Sequence, residues 1–299
     1  MAATPLSETA PPLLARLERL AETDAHEGPV YVAEEDALYF TTVRRVSVAI
    51  KRLRLADGAV SVVRANANTA NGMTLDGDGR LLVCEQGTLS EPARLSSVDR
   101  QTGIAEVLVE AWRGLALNSP NDVVDARDGA VWFTDPSYGH LQSFRPEPEL
   151  GDFVYRYDRG SEDLTVVADW LDKPNGLAFS PDERILYIGD SGAIHAPDDY
   201  DARRPRRVVA FDVVDGELAN GRIFADSIPG FPDGIKTDGS GRVYVSAATG
   251  VLVFAPDGER LGEISLPGAV NFAFGREQDV LLITADTAVW AAHLTTKGA

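Results

Sequence analysis

The chain has 299 residues, of which 44% are hydrophobic, and its formal net charge at pH 7 is −18. A length of this order fits one large all-β domain as well as two smaller domains. Nucleic acids and anionic membrane surfaces bind basic protein surfaces, so the acidic excess argues against both as partners. The main consequence of the charge is solubility.

Cys84 is the only cysteine, so no intramolecular disulfide can form. Residues 1–8 have neither the basic start nor the apolar stretch of a signal peptide. No apolar run is long enough to span a bilayer. Together these features predict a cytoplasmic protein.

The first segment with a pattern is residues 12–21. Leucines at positions 13, 14, 17 and 20 have a helical spacing, although the same segment could form an outer β-strand. We expect a short helix or turn followed by a strand, within a lead-in segment that covers residues 1–26.

From Glu27 onwards one unit recurs, in which an oxygen-bearing residue precedes an apolar run, a turn and a second β-rich run. The clearest copy spans residues 119–139. There, Asn121 precedes Val123, the turn contains Asp128 and Gly129, and the second run ends at Thr134, which predicts a β-hairpin. The copies begin at Glu27, Asn71, Asn121, Asn175, Asp233 and Asn271.

Each unit continues into further short strands. Self-similarity at roughly 40–55 residues per unit, with several strands in each, is typical of a β-propeller. Six units predict an all-β fold with six blades in one domain over residues 1–299. Residues 289–294 read as one more strand, which we expect to close the ring beside N-terminal residues.

Two inserts interrupt the repeat, at residues 137–152 and 192–207. Long loops on a rigid scaffold often determine binding specificity. The second insert contains arginines at 203, 204, 206 and 207 together with several aspartates, and we interpret this run as a solvated, ion-paired loop.

The first strands of propeller blades line the central channel, so the six opening residues should converge at one mouth of that channel. Glu27 and Asp233 would bring negative charges there, and Asn121 and Asn175 would bring amide oxygens. Such a set suits a hard cation such as calcium. Zinc and copper are disfavoured because the four histidines are scattered. His26 should point to the opposite face from Glu27, where it would either support the cation ligands from behind or be purely structural.

The motifs resemble those of the family that includes regucalcin, gluconolactonases and luciferin-regenerating enzyme, and most resemble the bacterial gluconolactonase branch. They are Glu27-Gly-Pro-Val, Asn71-Gly72, Leu81-Leu-Val-Cys-Glu85, Ser119-Pro-Asn-Asp-Val-Val, Thr134-Asp-Pro136, Pro174-Asn-Gly-Leu and Pro232-Asp-Gly-Ile. The resemblance implies a six-bladed propeller with a central divalent cation held by Glu27, Asn175 and Asp233. Asn121 would be a further ligand or a substrate contact. Tyr31, Met73 and Ser137 depart from the family pattern without removing an implied ligand.

The resemblance also implies a metal-dependent lactonase that acts on a small-molecule substrate. In this reading Asp233 is the general base, with Glu85 and Asp135 as alternatives. The expected substrate contacts are Asn71, Asn121, Glu85 and Tyr138, and His140 and His195 could complete the rim of the pocket.

Two other functions remain open at this point. The same site could hydrolyse a phosphotriester, or the protein could be a calcium-binding propeller without catalytic turnover. Calcium is the expected cation, with magnesium, manganese and zinc as alternatives. The expected assembly is a monomer or a small homo-oligomer.

Overall fold

A computed structural model describes residues 15–294, and these residues are mostly β-strands. The first strands in chain order are β1 (Ala15–Glu22), β2 (Ala25–Val32), β3 (Ala37–Thr42), β4 (Ile50–Arg54), β5 (Val60–Arg64), β6 (Ala70–Leu75), β7 (Leu81–Glu85), β8 (Arg94–Val98) and β9 (Ala105–Val109). They are followed by β10 (Ala111–Trp112), β11 (Leu115–Ala116), β12 (Val123–Asp125), β13 (Ala130–Asp135), the helix α1 (Tyr138–Leu141), β14 (Phe153–Asp158), β15 (Leu164–Ala168), β16 (Pro174–Phe179) and β17 (Ile185–Asp190). The remaining strands are β18 (Arg207–Val214), β19 (Glu217–Ala225), β20 (Ile235–Thr237), β21 (Val243–Ala247), β22 (Gly250–Phe254), β23 (Arg260–Ser265), β24 (Asn271–Phe274), β25 (Val280–Thr284) and β26 (Ala288–Leu294).

Of the 26 strands within residues 15–294, 24 form six four-stranded antiparallel sheets, which are the six blades that the repeat predicted, and β10 and β11 form a separate two-stranded sheet. Five blades are consecutive meanders, β2 to β5, β6 to β9, β12 to β15, β16 to β19 and β20 to β23. The sixth blade has the order β24, β25, β26, β1. The first strands of neighbouring blades contact one another around the ring, so they line its centre. The fold is therefore a six-bladed β-propeller.

The N-terminal segment differs from the expectation. Leu17 and Leu20 belong to strand β1 and not to a helix, because β1 pairs with β26 from Ala15↔Leu294 to Glu22↔Ala288. Most of the described part of the expected lead-in is thus the outer strand of the last blade, while Ala25 and His26 already belong to β2. Leu13 and Leu14 lie outside the described residues. Closure of the ring by residues 289–294 beside N-terminal residues is confirmed.

The hydrophobic core consists of six layers, one between each pair of neighbouring blades. Aromatic rings cross several of these layers. Trp132 of the third blade meets Phe179 of the fourth at 5.7 Å between ring centroids, and Phe224 of the fourth meets Phe254 of the fifth at 5.8 Å. Burial of each such side chain stabilises the fold by roughly 1.5–3 kcal/mol. Because the sixth layer joins the last blade to the first, the core is closed as well.

The second strand of each blade lies between two layers and is apolar on both faces. In β13 all six residues are buried, which explains its continuous β-rich sequence. The predicted hairpin is formed by β12 and β13, paired from Val123↔Phe133 to Asp125↔Val131. In its turn the Ala130 N–H donates to the Asp128 carboxylate at 2.9 Å, and Gly129 adopts a φ of +85°.

Both inserts lie on the rim of the propeller. The first contains α1, whose Tyr138 and Gly139 are buried. In the second, Arg203 pairs with Asp201 at 2.7 Å and Arg204 with Asp199 at 3.1 Å, as expected for an ion-paired loop. Within residues 15–294, no helix has the length and apolar character needed to cross a bilayer.

Candidate active site

Five of the six strand-start oxygen donors line one cavity of about 400 Å³ at an end of the central channel: Glu27, Asn71, Asn121, Asn175 and Asp233. Each belongs to the first strand of its blade or directly precedes it. The side chains come from five different blades, so only ring closure brings them together. The repeat register therefore predicted that these five residues lie together at one end of the channel.

The sixth donor has a different role. The Asn271 side-chain amide donates to Glu27 Oε2 at 2.8 Å, and its carbonyl oxygen accepts the Phe272 N–H at 2.8 Å. Asn271 is not among the cavity-lining residues. The Gly28 N–H also donates to Glu27 Oε2, at 2.9 Å. Asn271 thus fixes the orientation of the Glu27 carboxylate from behind.

Glycine after the donor residue allows the neighbouring blades to approach closely. A Cβ atom on Gly72 would lie 2.4 Å from the Asn121 carbonyl oxygen, and one on Gly176 would lie 2.1 Å from that of Asp233. Both distances are far below van der Waals contact. The Asn-Gly pairs of the repeat therefore keep successive donors close enough to share one ligand.

Hydroxyl groups on the second strands hold several of these segments in place. The Thr41 hydroxyl donates to the Asn71 carbonyl at 3.0 Å, and the Thr134 hydroxyl donates to that of Asn175 at 2.8 Å. Both bonds join one blade to the next. Buried carbonyl groups need such partners, so these threonines fix the positions of the donor residues.

The electrostatics of the cavity favour a cation. Burial, the charge of Glu27 and a hydrogen bond between the two carboxyl groups raise the pKa of Asp233 well above its usual value. Asp122, behind the cavity, has its pKa raised to about 6 by burial, an effect that Lys236 opposes. Two carboxyl groups in such contact repel when both are ionised, and a cation between them removes the repulsion.

The donor set also restricts the kind of metal ion. Within the part of the chain that the structure describes, there is no group of three or more His, Cys, Asp or Glu residues that could hold a metal. An ion in this cavity would have to use the amide oxygens of Asn121 and Asn175 together with Glu27 and Asp233. An all-oxygen set of two carboxylates and two amides fits calcium.

His26 lines the cavity beside Glu27, contrary to the sequence-based expectation. The pairing of β2 with β3 shifts register between Ala25 and Glu27, which breaks the alternation of faces. His26 Nδ1 lies 2.6 Å from an Asp286 carboxylate oxygen. Burial acts to lower the pKa of His26, but the Asp286 hydrogen bond and the Glu27 charge outweigh it and raise this pKa.

Tyr138 lines the cavity from the first insert, as predicted. Its hydroxyl is buried and lacks a well-formed hydrogen bond, with Asn175 and Ser191 as neighbours. Burial and the charge of Asp233 raise the pKa of Tyr138 well above its usual value. The group is therefore a neutral donor, available to a ligand.

Glu85 does not reach the cavity, which corrects its expected role as a substrate contact or base. Its side chain is fully buried and accepts hydrogen bonds from Arg64 at 2.6 Å and Arg94 at 2.7 Å. Asp135 is also buried and accepts the backbone N–H groups of Asn118 at 2.9 Å and Ser119 at 2.7 Å. Both carboxylates are structural, and Asp135 fixes the loop that leads to Asn121.

The two rim histidines are not cavity-lining residues either. His140 is exposed, and His195 Nε2 lies 3.3 Å from Asp172. The second insert reaches the cavity through the neighbours of His195, Ile194 and Pro197. Sequence reasoning also missed Arg44, Gln86, Gln142 and Phe231, which line the cavity from loops without a motif.

Comparison with known proteins identifies the family. Residues 25–287 match the model of the SMP-30/gluconolactonase/LRE-like region. A gluconolactonase from Zymomonas mobilis is 31% identical, over 91% of this chain and 79% of the relative. A pentonolactonase from Haloferax volcanii is 26% identical, over 86% and 80%. The solved structure of a gluconolactonase from Xanthomonas campestris superposes with a TM-score of 0.82 at 35% identity, covering 98% of both chains. The chain belongs to the SMP-30/gluconolactonase/LRE-like family.

Proposed function

We propose that this protein is a metal-dependent hydrolase that opens a lactone. The observation that carries the proposal is the cavity in which Glu27, Asn121, Asn175 and Asp233 converge from four blades beside Tyr138. The names of the relatives from Zymomonas mobilis and Haloferax volcanii, a gluconolactonase and a pentonolactonase, support the same chemistry.

The residues divide into two groups. Glu27, Asn121, Asn175 and Asp233 would hold one divalent cation, for which calcium is the best fit. A bound cation would polarise the lactone carbonyl and stabilise the negative charge that develops on its oxygen. Asn71 and Tyr138 would orient the lactone. The Asn71 amide nitrogen donates to the Asn121 carbonyl at 3.1 Å, so the side-chain oxygen would be the atom that accepts a substrate hydroxyl.

Asp233 is the proposed general base. A water molecule attacks the lactone carbonyl carbon while Asp233 takes a proton from it, and the ring C–O bond breaks. The leaving ring oxygen then receives the proton, which gives the open hydroxy acid.

Proton release from D-glucono-1,5-lactone and a panel of other lactones tests the proposal. The purified protein is assayed as loaded with calcium, after chelation and after calcium is restored. We expect the calcium-loaded protein to hydrolyse a lactone, chelation to abolish this activity, and restored calcium to recover it. Activity that survives complete chelation would contradict metal dependence. If the calcium-loaded protein hydrolyses none of the lactones, the proposed lactonase activity is contradicted. An assay with phosphotriester substrates would then distinguish a phosphotriester hydrolase from a calcium-binding propeller without turnover.

A further inference from the structure

A second cavity of about 500 Å³ adjoins the candidate active site. The two cavities share three wall residues, Arg44, Val48 and Thr69. Arg44, from the loop between β3 and β4, is a wall residue of both spaces. A ligand larger than a bare lactone ring could therefore extend from the donor residues into the second cavity.

Positive charge is concentrated on the wall of this second cavity. Its basic residues are Arg44, Arg45, Arg64 and Arg94, and Glu91 is the acidic residue on the same wall. Arg64 and Arg94 share one buried carboxylate, Glu85, so one of their two positive charges is left without a compensating negative charge. The excess stands out in a chain whose formal net charge is −18.

Arg44 and Arg45 add charge that no carboxylate among the described residues neutralises. Neither has a carboxylate partner within residues 15–294, whereas most other arginines there are ion-paired. The Arg44 guanidinium lies 4.1 Å from the centroid of the Phe144 ring, and its Nη2 donates to Gln142 at 3.3 Å. These contacts orient Arg44 and leave most of its five N–H donors free.

Hydrogen-bonding groups accompany the charge. Thr88 and Ser90 line the same wall, and so does Asn68, whose buried side-chain oxygen has no hydrogen-bond partner within the described residues and accepts bonds only from donors such as a ligand hydroxyl group. Arginine guanidinium groups bind carboxylate and phosphate oxygens through charge-assisted hydrogen bonds. Arg44 and Arg45 are thus suited to an anionic group on a ligand that also reaches the donor residues.

We propose that the substrate is a lactone with an anionic substituent, a phosphate or a carboxylate, and that Arg44 and Arg45 bind this substituent. This inference rests on the lactone-opening function proposed for the first cavity. It assigns the second cavity to substrate selection. Arg64 and Arg94, held by Glu85, contribute long-range attraction.

Matched lactone pairs test the substrate class with the calcium-loaded enzyme. One pair is D-glucono-1,5-lactone and its 6-phosphate, and the other is D-glucono-1,4-lactone and the 1,4-lactone of D-glucaric acid, which carries a carboxylate. We expect a kcat/KM about ten- to a hundredfold higher for at least one anionic member, because charge-assisted hydrogen bonds contribute that much. The pair with the larger ratio identifies the anion. Equal or higher values for both neutral lactones would overturn the inference and leave the lactonase proposal standing.

Two variants locate the selectivity. Arg44→Gln and Arg45→Gln should each lower the anionic-to-neutral ratio of kcat/KM by about tenfold. Arg113→Gln is the matched control, since Arg113 also stacks on an aromatic ring, Trp112, at 4.4 Å, but borders a different cavity. It should leave the ratio unchanged. If neither Arg44→Gln nor Arg45→Gln alters this ratio, the assignment of the anion-binding role to these two arginines is overturned.

A binding measurement separates this inference from the proposed activity. Calorimetric titration of the calcium-loaded protein with D-glucose 6-phosphate and with D-glucose needs no turnover. We expect binding of the phosphate that weakens about tenfold in Arg44→Gln, and much weaker binding of the neutral sugar. If no lactone is hydrolysed but D-glucose 6-phosphate binds in this Arg44-dependent way, the anion site is supported and the lactonase activity is contradicted. Equal binding of both sugars would overturn the anion site.

Discussion

Buried carboxylates occur in two different environments in this propeller. Glu85 is paired with two arginines, and Asp135 accepts hydrogen bonds from two backbone N–H groups. Glu27 and Asp233 contact each other on the wall of a cavity that the amides of Asn121 and Asn175 also line. Only the second environment leaves negative charge for a cation and a base, so the partners of each carboxylate decide its role.

The first prediction concerns Asp233. Asp233→Asn keeps the shape of the side chain and removes its charge and its basicity, so we expect kcat/KM for the best lactone to fall about 10²–10⁴-fold. Calcium affinity, measured by calorimetry, should fall as well, because one of two anionic ligands is lost. Asp57→Asn is the control, since Asp57 is a surface residue paired with Arg54. Near-normal turnover by Asp233→Asn would assign the base elsewhere.

The second prediction concerns the pH dependence of stability. Burial raises the pKa of Asp135 to about 7, although the Asn118 and Ser119 N–H groups oppose this shift. The pKa of Asp135 in the unfolded chain is about 4. At pH values between about 4 and about 7, Asp135 is therefore protonated in the folded protein and ionised in the unfolded chain. The free energy of unfolding should therefore fall as pH rises through this window. For Asp135 alone the loss between pH 5 and 7.5 is about 2 kcal/mol.

Urea denaturation at several pH values tests this contribution. Asp135→Asn cannot titrate, so its free energy of unfolding should vary less between pH 5 and 7.5 than that of the wild type. Asp57→Asn, at the protein surface, should keep the wild-type slope over this range. Parallel pH profiles for the wild type and Asp135→Asn would show that Asp135 does not titrate in this window.

Single residues also mark the limit of sequence-based prediction. The repeat placed five donors in one cavity because equivalent positions on successive blades must converge. It could not show that Asn271 turns towards Glu27, a contact between residues at opposite ends of the sequence. Nor could it predict the register shift that brings His26 to the cavity. Such features depend on tertiary contacts that have no local pattern.

At the scale of elements, the junctions between first strands control the geometry of the cavity. Gly176 lies where β16 approaches the segment before β20, with no room for a side chain beside the Asp233 carbonyl. Thr237, on β20, donates to the Phe179 carbonyl at 2.6 Å and joins the same two blades. The spacing of Asn175 and Asp233 therefore depends on backbone packing and not only on their own side chains.

The third prediction tests this junction. Gly176→Ala should push the two segments apart, lower the free energy of unfolding by about 1–3 kcal/mol and weaken calcium binding. Gly77→Ala is the matched control, because a Cβ on Gly77 would meet no atom within 4 Å. Urea denaturation and calorimetric calcium titration measure both effects. Wild-type stability and calcium affinity in Gly176→Ala would show that the junction can relax.

The elements themselves differed in how well the sequence predicted them. The hairpin β12–β13 followed from its apolar runs and the Asp128-Gly129 turn, which are local signals. Strand β1 did not, because Leu17 and Leu20 have the spacing of a helix face. Its strand conformation comes from pairing with β26, and tertiary pairing overrides local periodicity.

At the scale of the whole molecule, six inter-blade layers form a closed ring in which the β1–β26 pair completes the last blade. Removal of residues 1–22 would expose β26 as an edge strand and remove the packing of Leu17 and Leu20. The fourth prediction is a fall in melting temperature of about 10 °C, from a loss of about 4 kcal/mol.

Thermal unfolding and light scattering test this closure. The shortened protein should also aggregate more readily, because an unpaired strand edge can pair with other chains. A variant without residues 1–14 keeps every β1 pairing and serves as the control. If the protein without residues 1–22 melts at the wild-type temperature, the last blade does not depend on its outer strand.

The closing pair also determines when folding can finish. Ala15 pairs with Leu294, so β1 leaves the ribosome long before its partner is synthesised. Five blades consist of consecutive strands and can form as the chain emerges, but the sixth combines the earliest described strand with the latest. Completion of the ring therefore has to wait for the synthesis of β26. A chain released before residue 288 would keep an open ring and an unpaired N-terminal strand.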